Sequence, residues 1–208
     1  MYKIIVFDFD GTLVDSNSIK IDGFYSVVDG DAGSVELMNA ALRECNGTRW
    51  DVFHAYLTKR QSNTTVISRE VASLIEKYNM IVDNAIISAP EMPGATQLLD
   101  KLLLSGCKLI LSSATPQLNL ASIIERRGWM HYFNSIHGAP ASKINTLEQI
   151  LAMPHMSVSD LAVVGDGSDD RKSADAVSCS FFPVGEARGV SNLEKIYTLF
   201  DLQYEFLE

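Results

Sequence analysis

Residues 4–16 read Ile4-Ile5-Val6-Phe7-Asp8-Phe9-Asp10-Gly11-Thr12-Leu13-Val14-Asp15-Ser16. The unbroken branched and aromatic run Ile4–Phe7 predicts a short strand buried on both faces, as in a parallel sheet rather than a half-exposed one. The run stops abruptly at two acids, Asp8 and Asp10.

The same signature recurs outward from this stretch. Lys108–Leu111, Leu161–Val164 and, more weakly, Phe181–Val184 read as further strands, with Tyr132–His137 as a fifth. Helical patterns lie between them. Ala95–Ser105 sets Leu98, Leu99, Leu102 and Leu103 on one face and stops at Gly106. Pro116–Arg127 begins with a proline and ends before Gly128. Ser142–Met153 carries Ile144, Leu147, Ile150 and Leu151 at helical spacing, and Ser191 with Glu194 forms a capping-box pattern that opens the last helix. Strand and helix alternate, so the expected fold is α/β, a Rossmann-like parallel sheet with crossover helices.

One stretch breaks the alternation. Residues 16–89 are helical in pattern throughout, with candidate helices Ile19–Val28, Ser34–Cys45, Arg49–Arg60 and Val66–Tyr78. Gly30-Asp31, Asn46-Gly47 and Ser62-Asn63 punctuate them. The expected organisation is a main domain, 1–15 and 90–208, interrupted by a helical insert, 16–89, with Pro90 and Pro93 marking the return.

Composition narrows the function. The chain has 208 residues, 47% hydrophobic and 21% charged, which excludes a disordered tail. Cys45, Cys107 and Cys179 are scattered and form no CxxC pair, which argues against a disulfide framework or a structural zinc site and for small buried thiols in a reducing compartment. A net charge of -9 disfavours nucleic acid as a partner. The opening MYKIIVFDFDG has too short an apolar run for a signal sequence. No stretch approaches the ~20 apolar residues of a membrane span. A cytoplasmic protein without a membrane partner is expected, as monomer or homodimer.

In parallel α/β sheets, ligands bind beyond the carboxyl ends of the strands. Asp8 and Asp10 follow the first strand, and Ser112 and Ser113 follow Lys108–Leu111. Gly165, Asp166, Asp169 and Asp170 follow Leu161–Val164. Lys143 opens the helix after the Tyr132–His137 strand. Taken singly, each has a bland reading: a polar strand end, an acidic loop, ordinary serines, a solvated lysine. Together they bring carboxylates, hydroxyls and one ammonium to one edge. Clustered carboxylates repel unless a cation or protons intervene, and an oxygen-only set suits Mg²⁺.

Asp8-Phe9-Asp10-Gly11-Thr12-Leu13-Val14-Asp15-Ser16 resembles the first motif of the haloacid dehalogenase (HAD) superfamily. Leu109-Ile110-Leu111-Ser112 resembles its second motif, Lys143 its third and Gly165-Asp166 through Asp170 its fourth. Pro93-Gly94-Ala95 through Gly106 is similar to the segment before the second motif. The helical insert resembles the C1 cap of phosphoglycolate phosphatase-like members, which closes over the active site and supplies specificity.

The resemblance implies roles. Asp8 would be the nucleophile that forms an aspartyl phosphate, and Asp10 the general acid/base. Haloacid dehalogenases lack an acid at the Asp10 position, so phosphate-ester hydrolysis is implied rather than carbon–halogen cleavage. Mg²⁺ would be held by Asp8, the Asp10 backbone carbonyl and Asp166. Asp170 would serve the metal-bound water or orient Lys143, with Asp169 as a second candidate. Ser112 and the Ser113 N–H would hold the phosphoryl group, and Lys143 would neutralise charge. In the insert, Lys20, Arg43, Arg49, Lys59 and Arg60 are the cations. Arg49 leads as a clamp for a substrate carboxylate, and Lys20 follows. Trp50, Phe53 and Tyr56 recur at core spacing, and His54 reads as structural or surface. The implied activity is that of a Mg²⁺-dependent phosphatase of a small phosphorylated metabolite, such as phosphoglycolate or a sugar phosphate. The alternatives are a phosphomutase of the β-phosphoglucomutase type and a non-catalytic phosphate-binding module.

Overall fold

The computed structural model describes residues 2–28, 30–45, 48–60, 67–185 and 196–207. The chain divides into two compact units, Met1–Ser16 with Ile87–Glu208, and Asn17–Ile86.

The Asn17–Ile86 unit is helical: α1 (Asn17–Ser26), α2 (Ala32–Glu44), α3 (Arg49–Arg60) and α4 (Ile67–Ser88). α2 starts earlier than its apolar spacing suggests because Asp31 caps it, accepting from the Ser34 N–H at 2.9 Å. α4 runs ten residues past Tyr78, since Tyr78, Val82 and Ile86 continue one buried stripe. Phe53 and Tyr56 are fully buried, and Phe24 packs 5.1 Å from Phe53 and 4.7 Å from Tyr78, ring centre to ring centre. Gly23 lets α1 approach α4 closely: a Cβ there would lie 2.3 Å from Val82 Cγ2.

The other unit is built on five strands, β1 (Ile4–Phe7), β2 (Lys108–Pro116), β3 (Ser135–Ala139), β4 (Leu161–Gly165) and β5 (Ser180–Pro183). They form one sheet in the order β3-β2-β1-β4-β5, and every neighbouring pair is parallel. The crossovers carry α5 (Ala95–Leu104), α6 (Gln117–Arg126), α7 (Lys143–Leu151) and α8 (Ser168–Val177), and α9 (Leu199–Leu207) closes the chain. This is an α/β, Rossmann-like core. Ile4 and Val6 of β1 pack with Ile110, Leu161, Val163, Leu147, Ile150 and Ala174, which seats α7 and α8 on one face of the sheet. β1 is central because both its faces are apolar, and the register aligns Phe7 with Leu111 and with Val164. Asp8, Ser112 and Gly165 therefore stand in a row at one level.

Three expectations need correction. β2 does not stop at Leu111; it runs to Pro116, with its register against β3 shifting between Ser112 and Pro116. Ser112 and Ser113 thus lie within the strand, and Pro116 caps α6 rather than opening it. β3 begins at Ser135 because Met130–Tyr132 winds into a 3₁₀ turn. The acidic stretch after β4 leads into a helix: Asp169 and Asp170 sit in the first turn of α8, where carboxylates are favoured by the helix dipole. Ser191 and Glu194 lie outside the described residues; the last described helix is capped by Thr198 and Asp201, each accepting from the other's N–H, at 3.1 and 2.8 Å. No helix among the described residues is long and apolar enough to cross a membrane.

Candidate active site

The carboxyl edge of the sheet is organised by the loop after β1. The Asp8 N–H donates to Val164 O at 2.9 Å, so β1 and β4 stay paired up to the first acid. The chain then turns tightly: Phe9 O accepts from Leu13 and Val14, and Gly11 takes φ +75°, a conformation that favours glycine. The turn brings Thr12 Oγ1 to 3.3 Å from Asp166 Oδ1, linking the ends of β1 and β4. Asp8, Asp10, Asp166 and Asp170 are all buried.

Lys143, the first residue of α7, reaches into this cluster. Its Nζ lies 3.0 Å from Asp8 Oδ1, 2.8 Å from Asp169 Oδ2 and 2.6 Å from Asp170 Oδ1. Both acids left open by the sequence therefore hold the lysine. Asp170 is fixed further by the Gly167 N–H, which donates to Oδ2 at 3.1 Å. Gly165 makes room for it: a Cβ there would fall 2.2 Å from Asp170 Cγ.

Asp10 is held differently. Its Oδ1 accepts from Ser16 Oγ at 2.7 Å, and its Oδ2 from Thr115 Oγ1 at 3.1 Å and Ser113 Oγ at 3.4 Å. Two acids two residues apart thus occupy contrasting sites, one against an ammonium and one among hydroxyls.

Burial drives the electrostatics. It pushes the Asp8 carboxyl up to about 6, with Lys143 opposing and Asp10 and Asp166 reinforcing the rise. Burial and the neighbouring Asp8 raise Asp170 well above the usual carboxylate range. Burial works against the charge of Lys143, but Asp8, Asp170 and Asp169 outweigh it and hold the ammonium well above its ordinary value. Asp8, Asp166 and Asp170 each bring a carboxylate oxygen within 4.8 Å of the others. A buried oxygen-only donor set with an excess of negative charge suits a hard divalent cation such as Mg²⁺.

The serines of β2 are not equivalent. Ser113 reaches Asp10, whereas Ser112 pairs with His137 of β3 in the ladder. Arg49 opens α3, where its guanidinium bonds Asn79 Oδ1 and stands 5.1 Å over the Tyr78 ring. Lys20 lies on α1, and its backbone carbonyl accepts from Tyr78 OH at 3.0 Å. Trp50 departs from its expected core position: it is 44% exposed and stacks on His54 at 4.6 Å. Thr12, Ser16 and Thr115 are not among the site residues to which the sequence points. The first two lie inside the first motif, where a hydroxyl beside clustered acids is a usable signal; Thr115 gave none.

Comparison with known proteins adds the following. The sequence profile of the haloacid dehalogenase-like hydrolase family matches residues 5–184. No curated protein matches the sequence. Among solved structures, a protein described as the HAD-hydrolase YfnB from Bacillus subtilis, bound to magnesium, is similar with a TM-score of 0.71 at 15% identity, over 100% of this chain and 99% of that one. The haloacid dehalogenase-like family hydrolase SP0104 from Streptococcus pneumoniae is similar at 0.71 and 18% identity, over 99% and 98%. A protein described as a phosphoglycolate phosphatase from Lactobacillus delbrueckii subsp. bulgaricus is similar at 0.71 and 16% identity, over 98% of each chain. At these identities the likeness is one of fold.

Proposed function

Since the chain belongs to the haloacid dehalogenase-like hydrolases, we propose that it is a Mg²⁺-dependent phosphatase of a small phosphorylated metabolite, working through an aspartyl phosphate on Asp8. The observation that carries this reading is the contrast between Asp8, paired with Lys143 at 3.0 Å, and Asp10, set among three hydroxyls.

An Asp8 oxygen attacks phosphorus, and the bond to the leaving oxygen breaks. Asp10 gives that oxygen a proton. Asp10 then takes a proton from water as the water oxygen attacks phosphorus; the bond to Asp8 breaks, and inorganic phosphate leaves. Lys143, fixed by Asp169 and Asp170, offsets charge on Asp8 and on the phosphoryl oxygens. Ser112, level with Asp8 at the strand ends, and the Ser113 backbone N–H would hold the phosphoryl oxygens, while the Ser113 hydroxyl is committed to Asp10. Asp8 and Asp166, with the Asp10 carbonyl, would hold Mg²⁺, and Asp170 completes the carboxylate set while bracing Lys143. Bound Mg²⁺ supplies charge neutralisation for the phosphoryl group. The helical unit is read as the cap that distinguishes leaving groups; of its two candidate cations, Arg49 is engaged by Asn79 and Tyr78, which leaves Lys20 as the one favoured for that role. Phosphoglycolate and sugar phosphates are the first substrates to try.

The test is a Mg²⁺ assay over a panel of phosphorylated metabolites, with wild type beside Asp8→Asn and Asp10→Asn. Turnover by wild type, none by Asp8→Asn and a loss of about 10²–10⁴-fold in Asp10→Asn support the reading. Substantial activity in Asp8→Asn overturns the covalent route. Transfer to a sugar hydroxyl rather than to water would make the protein a phosphomutase.

A further inference from the structure

The Asp10 carboxyl group is anchored at both oxygens, and one anchor comes from a residue about a hundred positions away. Thr115 is 2% exposed, and its Oγ1 donates to Asp10 Oδ2 at 3.1 Å. We infer that Thr115 is a positioning residue, whose hydroxyl fixes the plane of the Asp10 carboxyl group for proton transfer to the leaving oxygen. This rests on the reading of Asp10 as the general acid.

A carboxyl group held at one oxygen can still swing about its Cβ–Cγ bond. Ser16 holds Oδ1 at 2.7 Å, and Thr115 supplies the second point. Ser113 also addresses Oδ2, but at 3.4 Å it is the weaker partner. The two are tied together, since the Thr115 N–H donates to Ser113 Oγ at 3.1 Å.

The backbone carrying Thr115 is itself locked. The segment lies where the β2–β3 register shifts, a place where a strand re-aims its side chains. There β3 presses on it through Gly138: a Cβ at that position would lie 2.6 Å from Thr115 O and 2.7 Å from Gln117 Cα. Gln117, the first residue of α6, ties the end of β2 to β3, its Oε1 accepting from the Gly138 N–H at 2.5 Å and its Nε2 donating to Ile136 O at 3.1 Å. A threonine suits the position because its branched Cβ restricts χ1 and so keeps the hydroxyl in one place.

The measurement is kcat/KM for wild type, Thr115→Val and Thr115→Ser on phosphate esters whose leaving groups range from dinitrophenol to a simple alcohol. Dinitrophenolate departs without a proton; an alkoxide needs one. Thr115→Val is expected to lose about ten- to a hundred-fold on alkyl phosphates and only a few-fold on dinitrophenyl phosphate. Its kcat/KM should depend more steeply on leaving-group pKa, and Thr115→Ser should stay near wild type. Equal losses across the series, or none, would overturn the inference while leaving wild-type turnover intact. Absence of wild-type turnover on every ester removes both this inference and the proposed function. Thermal melting confirms that each variant is folded, and Thr115→Ala carries the same comparison if the valine variant is not.

Discussion

Lys143 Nζ lies 3.0 Å from Asp8 Oδ1, so the ammonium at the start of α7 pairs directly with the carboxylate at the end of β1. The same nitrogen meets Asp170 at 2.6 Å, and both acids are buried. Removing the lysine would strand two buried carboxyl groups at once.

Lys143→Met should therefore fail in two ways. Turnover should drop by at least about 10²-fold, the scale of losing a preorganised charge at a reacting centre. The metal-free protein should also melt lower at pH 8, by up to about 3–5 kcal/mol, as for one partner stripped from a buried pair. The stability loss should shrink as pH falls toward 6, because Asp8 without the ammonium beside it takes up a proton more readily. Melting curves across pH without metal check this.

Asp8→Asn should raise the melting temperature of the metal-free protein at pH 8 while abolishing turnover. The folded Asp8 carboxyl sits at about 6, above its ordinary 3.8, so the folded state binds more protons than the unfolded state between those values. Its contribution is present below pH 3.8 and lost as pH rises through 6. An uncharged amide removes that loss, on the order of 1–3 kcal/mol. An unchanged or lower melting temperature at pH 8 would contradict it.

Mg²⁺ should bind more tightly as pH rises from 5 to 8, because protons compete for the carboxylates that hold it. Burial raises both Asp8 and Asp170, so the competition should extend above the usual carboxylate range. Calorimetric titration of the protein with Mg²⁺ at several pH values reads this directly. Chelation should abolish turnover, and re-adding Mg²⁺ should restore it.

Arg49→Ala should lower stability rather than change substrate preference. The guanidinium bonds Asn79 and lies 5.1 Å over the Tyr78 ring, contacts that tie α3 to α4. A cation–π contact of this kind is worth about 0.5–1 kcal/mol. Denaturant melts should show a small loss, and kcat/KM should fall equally for aryl and alkyl phosphates. A loss confined to one metabolite would instead place Arg49 on the substrate.

The elements most legible in the sequence are those whose own composition dictates them. β1 and α3 fall on the residues expected, because an all-apolar run and a dense helical stripe leave little choice. The charged part of the site was legible for the same reason: strand ends are easy to place, and acids after them stand out. Boundaries set by distant partners were not. β2 continues past Leu111 because β3 supplies its ladder there, pairing Ser112 with His137 and Pro116 with Ala139, not because those residues favour a strand. α8 was hidden by its low apolar content, although two acids after Gly167 are a helix-start signal. Thr115 was out of reach, since its partner Asp10 is distant in the chain and only the fold brings them together.

The place of β1 at the centre of the sheet has a consequence for how the protein is made. Ile4–Phe7 is synthesised first, but its two neighbours are β2, beginning at Lys108, and β4, beginning at Leu161. At about 5–20 residues per second, the ribosome takes roughly ten to thirty seconds to supply the second neighbour. Until Lys108 emerges the four-residue apolar strand has a partner on neither edge, and until Leu161 emerges it lacks one on the other. An unpaired apolar strand is a template for pairing with another chain, so the segment that will carry Asp8 is exposed to aggregation until its neighbours arrive.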